Sequence, residues 1–304
     1  MTLISKDHKE YLGKFLREMP NEEYHSIEGW FSSSQLKDAL EDVEVFYKIY
    51  VKKEMAKNMP EKALRIGTYF HTAILEPHLL NKECVVWDGK RMGKAWKEFE
   101  EANDGKTILN ATEQAEANNL IDAAQGNTKL MELLAGGEPE LSAFAELMGV
   151  PIKVRADWID LDKRFIMDLK SSTGNVKDSA KIKNTIERLG YDLSAALYLD
   201  AFNYVLKAQG KAPISDFYWG FASKDMSNSK VYKASPKMLD IGRRKYQKAL
   251  KAIYDAKQSG WKFEDEVEEV SPLPWVDQLW MEQNGDGPSK QKYGQAMSVS
   301  QSDD

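Results

Sequence analysis

Cysteine is almost missing from this 304-residue chain, and Cys84 is the only one. No intramolecular disulfide can form, and no cysteine-ligated zinc or iron–sulfur site can be built from this chain alone. A reducing cytoplasm is the setting that suits such a composition. Long apolar runs are missing too: none approaches the roughly 20 residues of a membrane span. The opening Met1-Thr-Leu-Ile-Ser-Lys-Asp-His has no apolar secretory core, so a soluble intracellular protein is expected. Phosphate-loop and dinucleotide glycine patterns are absent, which excludes the common ATP-driven and Rossmann chemistries. No Gly-x-Ser-x-Gly elbow supports a serine nucleophile. An excess of positive charge is also lacking: the net charge of −6 argues against a basic coat for polyanions but leaves room for a local patch. A hydrophobic share of 42% is enough for one large core or two modest ones.

What is present changes texture along the chain. Ser32-Ser33-Ser34 caps a helical pattern from Gln35 to about Lys53. A second helix runs from about Glu61 to Glu76 before Pro77, with a stripe through Leu64, Gly67, His71 and Leu75. Helical patterns at Met92–Asn103 and Thr112–Ala135 complete a mostly helical N-terminal part. Strand signals then cover Pro139–Leu147, Ile152–Ile159 and Arg164–Lys170, a three-stranded meander. Helices at Val176–Arg188 and Tyr191–Gln209 follow, then strands at Asp216–Ser223 and Lys230–Lys233. From Lys237 to Lys262 eight Lys or Arg stand against Asp240 and Asp255, on a helix opened by Ser235-Pro236. This stretch is read as either a solvated face or a DNA-facing wall, with Arg243, Arg244 and Lys248 as its candidate contacts. Residues 1–283 form one expected domain, and 284–304, without periodicity, an expected disordered tail.

The chemistry concentrates in Arg155-Ala-Asp157-Trp-Ile and Ile166-Met-Asp168-Leu-Lys170. A turn centred on Asp162 and Lys163 places Asp157 opposite Asp168 and Arg155 opposite Lys170. Side chains two apart on a strand share a face, so Lys170 joins Asp168. Paired carboxylates repel unless a cation lies between them, and a hard ion such as Mg2+, with Mn2+ able to substitute, meets that need. His71, inward on its helix, is either a core histidine or a nitrogen ligand. Glu140 and Glu146 share strand parity, so spacing leaves open which of them adds a third carboxylate, and whether one metal ion or two is held. Tyr191 and Tyr198 lie on one helical face with the small Ser194 between them, which either packs on the sheet or leaves room for a phosphate.

Read together, several stretches resemble a known family. They are Tyr24-His25, Phe31-Ser-Ser-Ser-Gln-Leu36, Leu64-Arg-Ile-Gly67-Thr-Tyr-Phe-His71-Thr-Ala-Ile-Leu-Glu-Pro77, Glu140, Arg155-Ala-Asp157-Trp, Asp168-Leu-Lys170 and Tyr191 to Tyr198. The order is similar to that of the phage and prophage exonuclease VIII nucleases, the RecE type, within the PD-(D/E)XK superfamily. The resemblance implies a restriction-endonuclease-like α/β core, a central mixed sheet flanked by helices with a helical N-terminal part. It implies Mg2+-dependent 5′-to-3′ digestion of linear double-stranded DNA, leaving 3′ single strands for a partner annealing protein in recombination. His71, Glu140, Asp157 and Asp168 match metal-binding positions, the Leu169 carbonyl is a further ligand, and Lys170 matches the catalytic lysine. Arg155, Tyr191, Ser194 and Tyr198 become DNA contacts. Ser194 departs from the glutamine usual there and reaches less far. A homo-oligomeric ring would enclose the duplex, and a phage- or prophage-encoded protein of the bacterial cytoplasm is expected. The alternatives are a non-catalytic DNA-binding recombination scaffold and an endonuclease of the same superfamily.

Overall fold

A computed structural model describes residues 7–57 and 60–263 and scattered positions from 267 to 280. Contacts divide the chain into Met1–Lys262 and Phe263–Asp304. In the second unit, the Val276 N–H donates to the Leu273 carbonyl in a short turn; residues 284–304 lie outside the described residues. The first unit carries, in chain order, β1 (Phe15–Leu16), α1 (Asn21–Ser26), α2 (Ser33–Glu41), α3 (Val43–Phe46), α4 (Glu61–Leu75), α5 (Leu80–Glu83), β2 (Cys84–Trp87), α6 (Lys94–Ala102), β3 (Thr107–Asn110), α7 (Ala111–Gln125) and α8 (Thr128–Leu133). There follow β4 (Glu138–Leu147), β5 (Val150–Asp160), β6 (Phe165–Ser172), α9 (Ser179–Arg188), α10 (Tyr191–Ala208), β7 (Asp216–Ser223), β8 (Ser229–Lys233) and α11 (Pro236–Gln258).

The main sheet runs β1-β4-β5-β6-β7-β8. Its neighbours are antiparallel except β6 and β7, which are parallel because α9 and α10 carry the chain back across the sheet. The architecture is therefore mixed α/β with helices on both faces, as the sequence suggests. One core joins α2, α10 and α11 to Leu141, Ala143, Val154, Ala156, Ile166, Phe217 and Trp219. The other joins α4 and α7 to Trp158, Phe165, Met167 and Leu169. Because β6 alternates strictly, Met167 and Leu169 enter the second core while Ile166 enters the first, and Asp168 and Lys170 share the parity of Ile166.

Local sequence chemistry explains where elements stop. Ser32 and Gln35 form a reciprocal capping box at α2, the Ser32 N–H donating to Gln35 Oε1 at 2.7 Å. The helix expected from Gln35 to Lys53 is broken at Asp42, whose Oδ1 accepts from the Glu44 and Val45 N–H groups at 2.8 and 3.0 Å and starts α3 instead. The pattern from Thr112 to Ala135 is likewise two helices, since Asn127 accepts from the Leu130 N–H at 3.1 Å and caps α8. β3, in the stretch between the two expected helices that the sequence reading leaves unassigned, pairs in parallel with β2. On α4 the buried stripe is Ile66, Phe70, Thr72 and Leu75; Leu64 is exposed and belongs to the outer side.

Gly242 sets the approach of α11 to α10. An added Cβ would stand 2.0 Å from the Asp192 carbonyl oxygen and 2.5 Å from its carbon. These are backbone atoms that cannot swing away, so Gly242→Ala is expected to cost about 1–3 kcal/mol by overpacking. A urea midpoint as high as that of the unmodified protein would contradict this packing.

Candidate active site at the split between β5 and β6

Backbone pairing opens where the acidic residues stand. The expected hairpin register holds for Asp160↔Phe165, Ile159↔Ile166 and Trp158↔Met167, and the ladder ends there. Asp157 and Asp168 are therefore not a paired couple, and Arg155 does not face Lys170; Arg155 pairs with Ser142 of β4. β5 also changes step at this point. Val150, Ile152, Val154 and Ala156 enter the first core, yet so does Ile159, while Trp158 enters the second. A strand of unbroken period two cannot do that, so the backbone bends at Asp157. Across from it Glu140 has φ +49°, in the left-handed region, and stands level with Asp157 without bonding to it. A bulky residue held there is strained, and such strain gathers at functional sites.

The side chains fill the opening. Asp157 Oδ2 accepts from the Leu169 N–H at 2.7 Å, replacing the lost ladder bond. His71 of α4 reaches in from the second core, with Nε2 3.1 Å from the Leu169 carbonyl oxygen and Nδ1 3.5 Å from Asp157 Oδ2. His71, Glu140 and Asp157 each offer a ligand atom, all within 4.8 Å of one another. This decides between the two glutamates of β4: Glu140 joins the cluster, whereas Glu146 lies farther along the strand, paired with Pro151. Lys170 Nζ stands 2.5 Å from Asp168 Oδ2, and 5.0 Å from the centre of the Tyr191 ring, which α10 supplies from the first core.

The electrostatics of this cluster are unbalanced without a cation. Burial, then Asp157, pushes the Glu140 carboxyl well above the usual carboxylate range. Burial likewise raises Asp168, against the pull of Lys170. Burial opposes the charge on Lys170, but Asp168 and Asp157 outweigh it and raise its pKa. Both ring nitrogens of His71 face oxygen acceptors, yet a neutral imidazole carries one N–H, so one lone pair is set against an oxygen. A second proton would resolve this, but burial lowers the His71 pKa. Asp168 Oδ2 is buried and has no hydrogen bond of acceptable geometry despite its contact with Lys170. Three carboxylates, one imidazole and a backbone carbonyl are a hard donor set suited to Mg2+ or Mn2+. The cluster of His71, Glu140 and Asp157 thus fits a divalent metal ion, which these side chains would hold, with the Leu169 carbonyl and Asp168 beside them.

The other sequence candidates are placed differently. Arg155 is largely used inside the protein: Nε donates to Ser142 Oγ at 3.1 Å, Nη2 to the Met19 carbonyl at 3.0 Å, and its guanidinium lies 4.2 Å from the centre of the Tyr24 ring. It also approaches Glu140 at 3.8 Å, so it positions the N-terminal segment and Glu140 rather than presenting a free cation to DNA. Ser194 is buried, and its hydroxyl donates to the Gly190 carbonyl at 3.4 Å within its own helix, which withdraws it from phosphate binding. Tyr198 stands beside Ser33 and Tyr24, half-buried against the first core. On α11, Arg243 is bound by Asp200 through two bonds of 2.7 and 2.8 Å, and Arg244 pairs with Asp240 one turn away at 2.9 Å. Arg243 fastens α11 to α10, so of the three expected contacts Lys248 alone is exposed with no intramolecular charge partner among the described residues. Sequence reasoning missed Lys37 of α2 and Glu83, and quoted Glu76 only within the α4 stretch without giving it a role; all three act on the site electrostatically. No motif marks Lys37 or Glu83.

The six-stranded mixed sheet thus opens between β5 and β6 where Asp157, Asp168 and Lys170 stand. Residues 32–264 match the family described as "PDDEXK-like domain of unknown function" (DUF3799), and the chain belongs to that family. Among solved structures it is similar in fold to a crystal structure from Eubacterium rectale that bears the name "Putative exonuclease". The TM-score is 0.59 at 16% identity, over 86% of this chain and 98% of that one. A second, SSO0001, overlaps at TM-score 0.28 and 15% identity, over 72% of this chain and 84% of that one, too weak a likeness to carry an argument. No curated protein matches. Of the expected likeness to the exonuclease VIII type, the family match thus supports the wider PD-(D/E)XK superfamily and not that type in particular. Among the described residues, no helix is long and apolar enough to cross a membrane.

Proposed function

We propose that this protein is a metal-dependent exonuclease of linear double-stranded DNA, degrading from 5′ ends and leaving 3′ single strands. The observation that carries the reading is the meeting of His71, Glu140, Asp157 and the Leu169 carbonyl in the opening of the sheet, with Asp168 bound to Lys170 beside them. Mg2+ is the natural ion for such a shell, with Mn2+ able to replace it. When bound, the ion neutralises charge on the phosphate and eases deprotonation of water. Asp168 fixes the Lys170 ammonium by contact at 2.5 Å, so a donor is already oriented where negative charge develops on phosphate oxygen. Asp157, tied to the Leu169 N–H, keeps the Leu169 carbonyl turned toward His71. Tyr191 holds Lys170 by a cation–π contact at 5.0 Å.

The cellular use that follows is supply of 3′ single strands to a single-strand annealing protein, in a phage or prophage recombination system of the bacterial cytoplasm. A homo-oligomeric ring would keep the enzyme on its substrate between cuts. The test compares linear duplexes labelled at the 5′ or 3′ end with closed circular duplex, in Mg2+ and in EDTA. Release of 5′ label as mononucleotide, only from linear DNA and only with metal, is expected. Cutting of closed circles would make the protein an endonuclease, and DNA binding without any cutting would make it a scaffold.

A further inference from the structure

Lys37 sits in α2 with its ammonium 5.2 Å from the centre of the Tyr191 ring, the same ring that Lys170 meets at 5.0 Å. Its stem runs past the left-handed Gly190, through space that a side chain there would crowd: a Cβ would lie 3.2 to 3.4 Å from Lys37 Cε, Cδ and Cγ. A side chain given room along its length and left unpaired at its end is arranged to meet something. Among the described residues no carboxylate or carbonyl takes that ammonium by hydrogen bond or ion pair. The neighbouring cations are answered, Lys57 by Asp38 at 2.6 Å, Lys170 by Asp168 at 2.5 Å and Lys245 by Asp192 at 2.6 Å.

We propose that Lys37 is a second substrate-binding cation of the site, which together with Lys170 holds the scissile phosphodiester by its two non-bridging oxygens. The inference rests on the nuclease reading above. An incoming phosphate meets three carboxylates, and the charge of Lys170 is already offset by Asp168, so an unpaired ammonium is what the site still needs to attract an anion. Both ammoniums meet the Tyr191 ring and Lys170 repels Lys37; an anion between them converts that repulsion into attraction. The state of the free protein agrees: burial first, and Lys170 second, lower the Lys37 pKa to about 8. Arg155 is turned elsewhere, its Nε donating to Ser142 and its Nη2 to the Met19 carbonyl.

Lys37→Met keeps the stem against Gly190 and removes only the charge. Binding of a labelled linear duplex in EDTA, over a series of KCl concentrations, should show the slope of log affinity against log salt fall by about one. With Mg2+ the apparent KM should rise about tenfold, the size of one charge-assisted hydrogen bond, and Lys37→Arg should recover most of it. The melting temperature of Lys37→Met should match the unmodified protein. If the unmodified protein cuts linear duplex and Lys37→Met shows the same salt slope and KM, Lys37 is no substrate contact, whatever its melting temperature. If the unmodified protein neither binds nor cuts linear duplex, the nuclease reading falls and this inference with it.

Discussion

Asp168→Asn should lower the rate of linear-duplex digestion by at least about 100-fold, equivalent to about 2.7 kcal/mol of transition-state stabilisation. Its circular dichroism and cooperative melting should remain. The two halves of the expectation have separate causes. Asp168 Oδ2 makes no well-formed hydrogen bond in the folded protein, so little of the fold depends on its charge. The same oxygen is the anchor of the Lys170 ammonium and, in the proposed centre, would add a hard ligand beside the cluster, so the chemistry should depend on it heavily. The neighbouring Asp157 is a less clean target. Its Oδ2 accepts from the Leu169 N–H at 2.7 Å, so Asp157→Ala removes a bond that joins β5 to β6 as well as a ligand. Asp157→Asn keeps an acceptor oxygen and is the better variant. Digestion by Asp168→Asn at the unmodified rate would remove Asp168 from the centre.

His71→Ala should reduce Mg2+-dependent digestion by at least about tenfold and weaken metal affinity by a similar factor, as loss of a group that binds or orients in a metal shell does. Part of the activity should return at high Mn2+, which binds nitrogen-containing shells more tightly than Mg2+ does. Stability in EDTA should change little. His71 gives up one contact with the Leu169 carbonyl, but the core side of α4 is Ile66, Phe70 and Leu75, which the substitution leaves intact. A core histidine would behave in the opposite way, with a lower melting temperature and normal activity per folded molecule.

The elements of the sheet were legible in the sequence because β-branched and aromatic runs between turn residues carry a period of two, and β7 was placed at Asp216–Ser223 by that signal. Asp157, Asp168 and Lys170 were legible as candidates for a chemical reason, since carboxylates and a lysine on neighbouring apolar strands are costly anywhere except around a cation; His71 and Glu140 were chosen only through the family resemblance, the residues themselves leaving alternatives open. The opening between β5 and β6 was not legible. Register rules extend a hairpin for as long as the strands last, whereas here β6 leaves β5 at Met167 and continues alongside β7 to Ser172. Nothing local to Asp157 announces that exchange of partners. The helix periodicity of α10 and α11 gave faces but not their occupants. Arg243 looked free because Asp200 lies in another helix, and Ser194 looked available because the carbonyl of Gly190 is a partner one turn back in the same helix. Lys37 was hidden for the same reason, since only the folded chain brings α2 to Gly190 and Tyr191.

The central claim is that the opened strands form a divalent-metal centre. Calorimetric titration of Mn2+ into the unmodified protein and into the Asp157→Asn, Asp168→Asn double variant tests it most directly, without DNA and without reference to turnover. Saturable binding by the unmodified protein is predicted, accompanied by a melting temperature that rises with metal concentration, as a ligand of the folded state requires. Both effects should vanish in the double variant. Equal binding by the two proteins, or none by either, would contradict the account.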